Sequence, residues 1–158
     1  MTDTALAHQP FATFVNEAGP RIRRALVAAF GPEIGTEAAA DAMSIAWERW
    51  DLISGRENPA GYVWGIGRNR ALKRMGRKRR LFPTPEPGRE PWIEPGLPAA
   101  IGTLSEKQRT AVLLTSGYGW TFREVAELMD VAVSTVQAHV ERGMAKLRNE
   151  LGVNDDES

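Results

Sequence analysis

The sequence predicts an all-α protein with two small helical domains, at residues 1–81 and 104–158, joined by a proline-rich linker over 82–103. Three observations support this fold class. Apolar residues recur at steps of three and four, the period of an amphipathic helix. Serine or threonine three residues before glutamate or glutamine recurs ahead of such stretches, the pattern of a capping box. Six of the ten prolines fall in the linker, and proline at this density excludes regular helix and favours extended chain.

Two helices are expected in the first part of the chain. The first covers residues 11–30, and the Gly19-Pro20 pair predicts a kink or a break within it. The second covers residues 36–53, with a wide apolar stripe on one side and acidic residues on the other. The apolar stripe indicates a core-facing helix, and the acidic side indicates either a solvated surface or a dock for a basic partner.

A third helix is expected to begin at Pro59, with Asn58 as its N-cap. Three glycines within it, each costing about 1 kcal/mol against alanine, indicate close packing or local flexibility. Its continuation over residues 68–80 holds eight basic and no acidic groups, although the net charge of the chain is zero. A solvated helix end is one interpretation. We favour a site for a nucleic-acid backbone, because so many like charges repel one another without a partner.

The C-terminal part predicts a helix-turn-helix. Three capping pairs mark three helix starts, and residues 130–133 leave room only for a tight turn between the last two helices. An apolar stripe runs from Val136 to Leu151, with polar residues outside it. The second helix of such a motif enters the DNA major groove, whereas the alternative is an ordinary helical hairpin. The capping pairs are Ser105 with Gln108, Thr121 with Glu124, and Ser134 with Gln137.

Composition excludes several classes of protein. The chain has no cysteine and only two histidines, His8 and His139, so we expect no disulfide, no metal and no cofactor. No apolar run approaches the roughly 18 residues of a membrane span, and no secretion signal precedes the first helix. We therefore expect a cytoplasmic protein without membrane insertion. An enzyme is disfavoured, because the sequence offers neither a phosphate loop after a strand nor a nucleophile paired with a base.

Residues 11–80 and 101–151 resemble a bacterial sigma factor of the extracytoplasmic-function type. The segments LSEKQRTAVLL, WTFREVAELM and STVQAHVERGMAKLR resemble the region of that family that reads the −35 element. The segments DAMSIAWERW and PAGYVWGIGRNRALKRMGRKRR resemble its regions that bind core polymerase and read the −10 element. The resemblance implies a non-enzymatic subunit that binds core RNA polymerase and promoter DNA, melts the −10 element and is often held by an anti-sigma factor.

The resemblance implies three sets of contact residues. Gln137 suits a bidentate contact to adenine, Arg142 suits guanine or phosphate, and the amides of the helix N-terminus suit phosphate. Tyr62 and Trp64 are candidates to stack on unpaired bases or to lie in the core. The −35 set is Arg123, Ser134, Thr135, Gln137, Ala138 and Arg142; the −10 set is Asn58, Arg68, Asn69, Arg70, Lys73, Arg74 and Arg77; the polymerase set is Glu37, Asp41 and Glu48.

The sequence departs from the family pattern at a few positions. A basic residue is common where Gln137 stands, arginine where His139 stands and glutamine where Ala40 stands, while Glu141 adds negative charge beside the DNA face. We therefore expect base contacts to matter more than charge in −35 binding. An alternative is a helix-turn-helix regulator that is not a polymerase subunit, although such a regulator does not need the basic helix. We also expect that two small domains on a flexible linker can collapse onto one another in the free protein.

Overall fold

The computed structural model describes residues 10–76 and 96–152, which we call the N-terminal half and the C-terminal half. The described residues form eight α-helices and one π-helical turn, which confirms the all-α prediction. The N-terminal half holds α1 (Phe11–Phe30), α2 (Pro32–Glu48), α3 (Trp50–Ile53) and α4 (Pro59–Met75); the C-terminal half holds α5 (Leu97–Thr103), α6 (Glu106–Val112), the π turn (Leu113–Gly117), α7 (Phe122–Met129) and α8 (Val133–Glu150).

The first two helices differ from the prediction where α2 begins, and of the kink or break predicted at Pro20 the break is absent. Helix α1 runs through Pro20 without ending there. Both Pro20 and Asn16, whose carbonyl loses its helical donor to the proline, are exposed, so water can satisfy that carbonyl. Helix α2 begins at Pro32 and not at residue 36, because Gly31 adopts φ 88° and turns the chain directly into a proline-led first turn.

Close helix crossings organise the N-terminal half. A Cβ atom at Gly35 would lie 2.5 Å from Val27 Cα, so the backbones of α1 and α2 touch there. A Cβ at Gly67 would lie 2.5 Å from Leu26 Cδ1, which brings α4 against α1. The close-packing interpretation of the glycines in α4 therefore holds at Gly67, whereas a Cβ at Gly65 would meet no atom within 4 Å.

Part of the predicted linker is helical. Residues 97–103 form α5, which we expected to be extended. Pro98 lies in the first turn of α5, where the amide that proline lacks would have no helical partner in any case. Ala100 and Ile101 are buried in a small apolar cluster with Leu104, Val112 and Leu147. Residues 82–95 of the linker lie outside the described residues, and the division into two domains stays a prediction.

Two of the three predicted capping boxes are present. The Gln108 amide donates to Ser105 Oγ at 3.2 Å, and the Glu124 amide donates to Thr121 Oγ1 at 3.1 Å. In both cases the side chain of the later residue accepts from the amide of the earlier one. These reciprocal bonds fix the starts of α6 and α7.

The third predicted capping box, Ser134 with Gln137, is wrong. Helix α8 already begins at Val133 and has Ala132 as its N-cap, with no side-chain hydrogen bond to the cap. Ser134 therefore lies inside the first turn, where its hydroxyl is not placed to cap. The side-chain amide of Gln137 instead donates through Nε2 to Glu141 Oε1 at 3.3 Å.

The two halves share one apolar core. Phe30, Leu26 and Val63 from the N-terminal half lie in the same buried cluster as Leu114 and Val125 from the C-terminal half. Helix α1 contacts α6 and the π turn, and α4 contacts α7. The described halves are therefore packed against one another, as expected for a collapsed arrangement.

Gly35→Ala should lower the free energy of unfolding by about 1–3 kcal/mol, because the new methyl group meets rigid backbone and not a movable side chain. Urea unfolding followed by circular dichroism measures this change. The matched control is Gly65→Ala, which lies in open space within α4 and should raise stability by up to about 1 kcal/mol. Equal stabilities of the two variants would contradict the close crossing of α1 and α2.

Candidate nucleic-acid interface

The helix-turn-helix is formed by α7, a short turn and α8. Asp130 ends α7 with φ 55° and ψ 53°, a left-handed conformation that aspartate tolerates better than most residues. The Val131 amide donates to Ala126 O at 3.0 Å, which satisfies a carbonyl at the end of α7. Only three residues separate Met129 from Val133, where α8 begins. The predicted turn at residues 130–133 therefore has the expected length.

Helix α8 presents the predicted apolar and polar faces. Val136 and Leu147 are buried, and the other members of the stripe are half-buried. A Cβ at Gly143 would lie 2.6 Å from Val112 Cγ2, so α8 crosses α6 closely. The N-terminal end of α8, which we call its leading end, is exposed to solvent. In the −35 set, Arg123, Ser134, Gln137 and Arg142 are exposed, and Thr135 and Ala138 are half-buried.

Two side chains modify the chemistry of that leading end. Glu141 accepts the hydrogen bond from Gln137, so the amide predicted to read a base is oriented by a carboxylate. Burial, together with the charges of Lys107 and Arg142, lowers the pKa of His139. These effects disfavour the charged form of His139, so it is a weaker source of positive charge than an arginine would be at this position.

Within the −10 set, Asn58 and Arg68 have partners in the C-terminal half. Asn58 Oδ1 accepts from the Gly61 amide at 3.1 Å, which confirms the predicted N-cap of α4. Its Nδ2 donates to Glu127 O at 2.7 Å. Arg68 makes a bidentate pair with Glu106, at 2.5 Å for Nε and 3.0 Å for its second donor, and this hydrogen bonding raises the pKa of Arg68.

The rest of the −10 set lies along α4. Asn69, Arg70 and Lys73 are exposed. Arg74 donates to Glu37 Oε2 and to Asp41 Oδ2, both at 2.8 Å. The last member, Arg77, lies outside the described residues.

The polymerase set lies on α2. Because Arg74 pairs with Glu37 and Asp41, two members of this set are joined to a member of the −10 set. Glu48 is exposed near the end of α2. Two large apolar residues near it were not predicted to be exposed: Trp47 is 66% exposed and Leu52 is 76% exposed. The continuous apolar stripe over residues 36–53 gives no sign of the break between α2 and α3 at Arg49. That break would have been needed to predict their exposure.

A cavity of about 620 Å³ lies between the loop before α4 and the basic face of α4. Its lining includes Arg56, Tyr62, Trp64, Arg68 and Asn69. The Arg56 guanidinium carbon lies 3.8 Å from the centroid of the Tyr62 ring. Within the described part of the chain, the buried Trp64 indole N–H has no hydrogen-bond partner. The lining also includes Glu57 and Asp130, so the cavity combines aromatic surface with charges of both signs. The aromatic surface suits an unpaired base.

Other chemistry is not visible in the described ranges. No group of three or more histidine, aspartate or glutamate side chains in residues 10–76 and 96–152 is placed to hold a metal ion. Among the described helices, none combines the length and apolar character needed to cross a membrane.

Comparisons with known proteins agree with this geometry. The family model "Sigma-70, region 4" matches residues 96–147, which include α5 to α7 and most of α8. The chain is also similar to the co-crystal structure of the sigma factor RpoE in complex with the anti-sigma factor NepR from Bartonella quintana. That similarity has a TM-score of 0.64 at 18% identity and covers 91% of this chain and 98% of the other. The comparison with curated proteins gave no match. The sigma-70 region 4 match at residues 96–147 thus supports the resemblance of the C-terminal half to a sigma factor, and the solved sigma factor shares the fold of this chain.

Proposed function

We propose that this chain is a sigma factor that binds core RNA polymerase in the cytoplasm and directs promoter-specific initiation. It reads the −35 element and recognises and melts the −10 element. The observation that carries the proposal is the sigma-70 region 4 match over the helix-turn-helix, together with a separate helix, α4, that presents exposed basic residues. A specificity subunit of this kind has no reaction of its own to catalyse.

The leading end of α8 is the proposed reader of the −35 element. Its exposed members of the −35 set are Ser134, Gln137 and Arg142, whose hydroxyl, amide and guanidinium groups suit phosphate positioning and base-edge contacts. Val133 is also exposed there. Glu141 opposes phosphate on the same face, so affinity for DNA through charge alone is low. Sequence readout then depends on Gln137. Its side-chain amide must break its hydrogen bond with Glu141 before it can bind the edge of a base.

The basic face of α4 and the cavity beside it form the proposed −10 site. Arg70 and Lys73 are exposed and suit the backbone of a melted strand. Tyr62 and Trp64 line the cavity, where an extruded base would stack. Melting follows because binding a base outside the helix stabilises the unpaired strand.

The surface that includes α2 and α3 is the proposed site for core polymerase. Glu37, Asp41 and Glu48 give it acidic groups. Trp47 and Leu52 add exposed apolar area, and large aromatic side chains of this kind frequently dominate protein interfaces. Trp47 is braced by Phe11, with ring centroids 5.2 Å apart, so little side-chain entropy would be lost on binding.

An anti-sigma factor is a further proposed partner. The solved sigma factor that this chain resembles was crystallised with one. A protein that covers the α2 surface or the leading end of α8 would prevent polymerase or promoter binding.

Reconstitution with bacterial core RNA polymerase on a pool of random templates, with sequencing of the transcript starts, tests the proposal. We expect the chain to associate with polymerase and to enrich starts that share two upstream elements. Failure to associate with polymerase or to redirect initiation would contradict it. A symmetric DNA footprint formed without polymerase would support the helix-turn-helix regulator instead.

Replacing Arg70 and Lys73 with alanine should weaken promoter melting much more than polymerase binding, because both side chains lie on the proposed strand-binding face. Permanganate reactivity of the −10 thymines measures melting, and fluorescence anisotropy measures polymerase binding. The control is Arg23→Ala, which removes an exposed arginine from α1. Equal loss of melting and polymerase binding would contradict the placement of the strand on α4.

Gln137→Ala should alter the −35 preference at about one base pair, by roughly 1–3 kcal/mol if the contact is bidentate. Competition binding of the holoenzyme to a −35 library measures the preference. An unchanged preference at every position would remove Gln137 from the −35 set.

Glu141→Gln should tighten binding to all −35 sequences, because it removes a negative charge from the DNA face without adding a base contact. The control is Glu150→Gln, the same charge change at the far end of α8. An equal effect of both variants would show that only net charge matters and not the position of Glu141.

A further inference from the structure

Helix α8 begins with an apolar residue that lies outside the core. Val133 is the first residue of the helix and is 44% exposed. Val136, about one turn further on, is buried, and Val140 and Met144 are half-buried. The packing of α8 therefore does not account for the apolar side chain of Val133. A single exposed valine is ordinary on a protein surface, so its position in the helix-turn-helix decides what it can contact.

Val133 lies beside the proposed −35 contacts. It is four residues before Gln137, so the two side chains are neighbours on one face of α8. Val133 and Arg123 of α7 also line one cavity of about 590 Å³. The lining of that cavity further includes residues from the turn and from the loop before α4. Val133 is thus placed between two exposed members of the −35 set, one from each helix of the motif.

The first turn of a recognition helix is the part that reaches base edges in the major groove. Along the axis of α8, Val133 precedes Gln137 by about 6 Å, at about 1.5 Å of rise per residue. Base pairs are stacked about 3.4 Å apart. A side chain at Val133 therefore lies within about two base pairs of the pair that Gln137 contacts.

The isopropyl group of Val133 complements few of the groups that DNA presents. It has neither a donor for phosphate nor a polar atom for the hydrogen-bonding edge of a base. In the major groove, the 5-methyl group of thymine is the apolar feature of a base edge, and apolar side chains contact it. Valine is branched at Cβ and has few rotamers, so little side-chain entropy would be lost in such a contact.

We propose that Val133 reads the 5-methyl group of a thymine in the −35 element, within about two base pairs of the pair that Gln137 contacts. The inference rests on the proposed function and deepens it, because it assigns a base and a chemical group to the first residue of α8. Readout by a methyl contact and by an amide does not require positive charge. It is therefore compatible with Glu141, which adds negative charge to the same face.

Replacement of thymidine by deoxyuridine tests the contact, since it removes the 5-methyl group and keeps the hydrogen bonds of the base pair. Each thymine in the −35 element of a promoter recovered from the template pool is replaced in turn, on either strand. Competition binding of the holoenzyme measures the effect. We expect a loss of about fourfold at one position near the pair that Gln137 reads, the effect of burying one methyl-sized group. Replacements in the spacer between the two elements are the control and should change nothing.

Two variants show whether Val133 is the residue that reads the methyl group. Val133→Ala should bind the thymine and uracil templates equally, whereas Val133→Ile keeps an apolar side chain and should retain the difference. Alanine favours helix more than valine does and Val133 is exposed, so Val133→Ala should fold, which circular dichroism checks. The two changes, one in the protein and one in the DNA, form a double-mutant cycle that isolates the contact.

Several results would overturn the inference. One is equal binding of the wild-type holoenzyme to all thymine and uracil templates. Another is a methyl effect of unchanged size in Val133→Ala, because a different residue, such as Thr135 or Ala138, would then read the methyl group. A −35 element without thymine on either strand near the pair that Gln137 reads is a third. Failure to bind core polymerase or to recover any promoter would instead contradict the proposed function itself, and the inference would fall with it.

Discussion

The packing of the two halves around Arg109 is the constraint on which the rest of the structure depends. Its guanidinium draws the end of α1, the end of α5 and the body of α6 to one point. Glu106, one turn earlier on α6, is thereby placed against Arg68 of α4. A single short helix thus sets both the apolar contact between the halves and the state of the proposed −10 site.

Several charged side chains of the proposed binding surfaces are paired within the molecule. Arg74 neutralises Glu37 and Asp41, Arg68 neutralises Glu106, and Arg21 neutralises Glu124. Exposed pairs of this kind contribute little to stability. Their consequence is functional, because a partner protein or DNA must displace the ion-pair partner of such a side chain before it can bind that side chain. Polymerase that binds Glu37 and Asp41 would release Arg74, and DNA that binds Arg68 would displace Glu106. These shared pairs give a physical basis for coupling between the binding events.

Local rules predicted the features that local chemistry determines. The Thr121–Glu124 and Ser105–Gln108 boxes and the Asn58 cap each depend on residues three apart, and all three are present. The same rule was wrong at Ser134, because the N-cap of α8 is Ala132, two residues earlier, and Ser134 lies within the first turn. Helix α5 was not predicted, because a high density of proline favours extended chain. Pro98 lies in the first turn of that helix, where proline is tolerated.

Long-range features were beyond the reach of the sequence. The acceptor of Arg109 lies 80 residues away, and nothing near Ala29 marks it as a ligand of a buried cation. The crossing at Gly35 depends on the angle between two helices, which periodicity does not give. Among the site residues, exposure of α8 and α4 was predictable from amphipathic spacing, whereas the pairing of Arg68 with Glu106 and of Arg74 with Asp41 required the tertiary arrangement.

The most direct measurement is the distance between the halves in the free and polymerase-bound protein. Cysteines introduced at the exposed positions Arg23 and Glu150 accept a donor and an acceptor dye for single-molecule energy transfer. We expect high transfer in the free protein and low transfer once core polymerase is added, because the −10 and −35 sets must then reach two separate promoter elements. High transfer that persists in a demonstrated complex with polymerase would contradict opening, and the absence of any complex would contradict the assignment as a sigma factor.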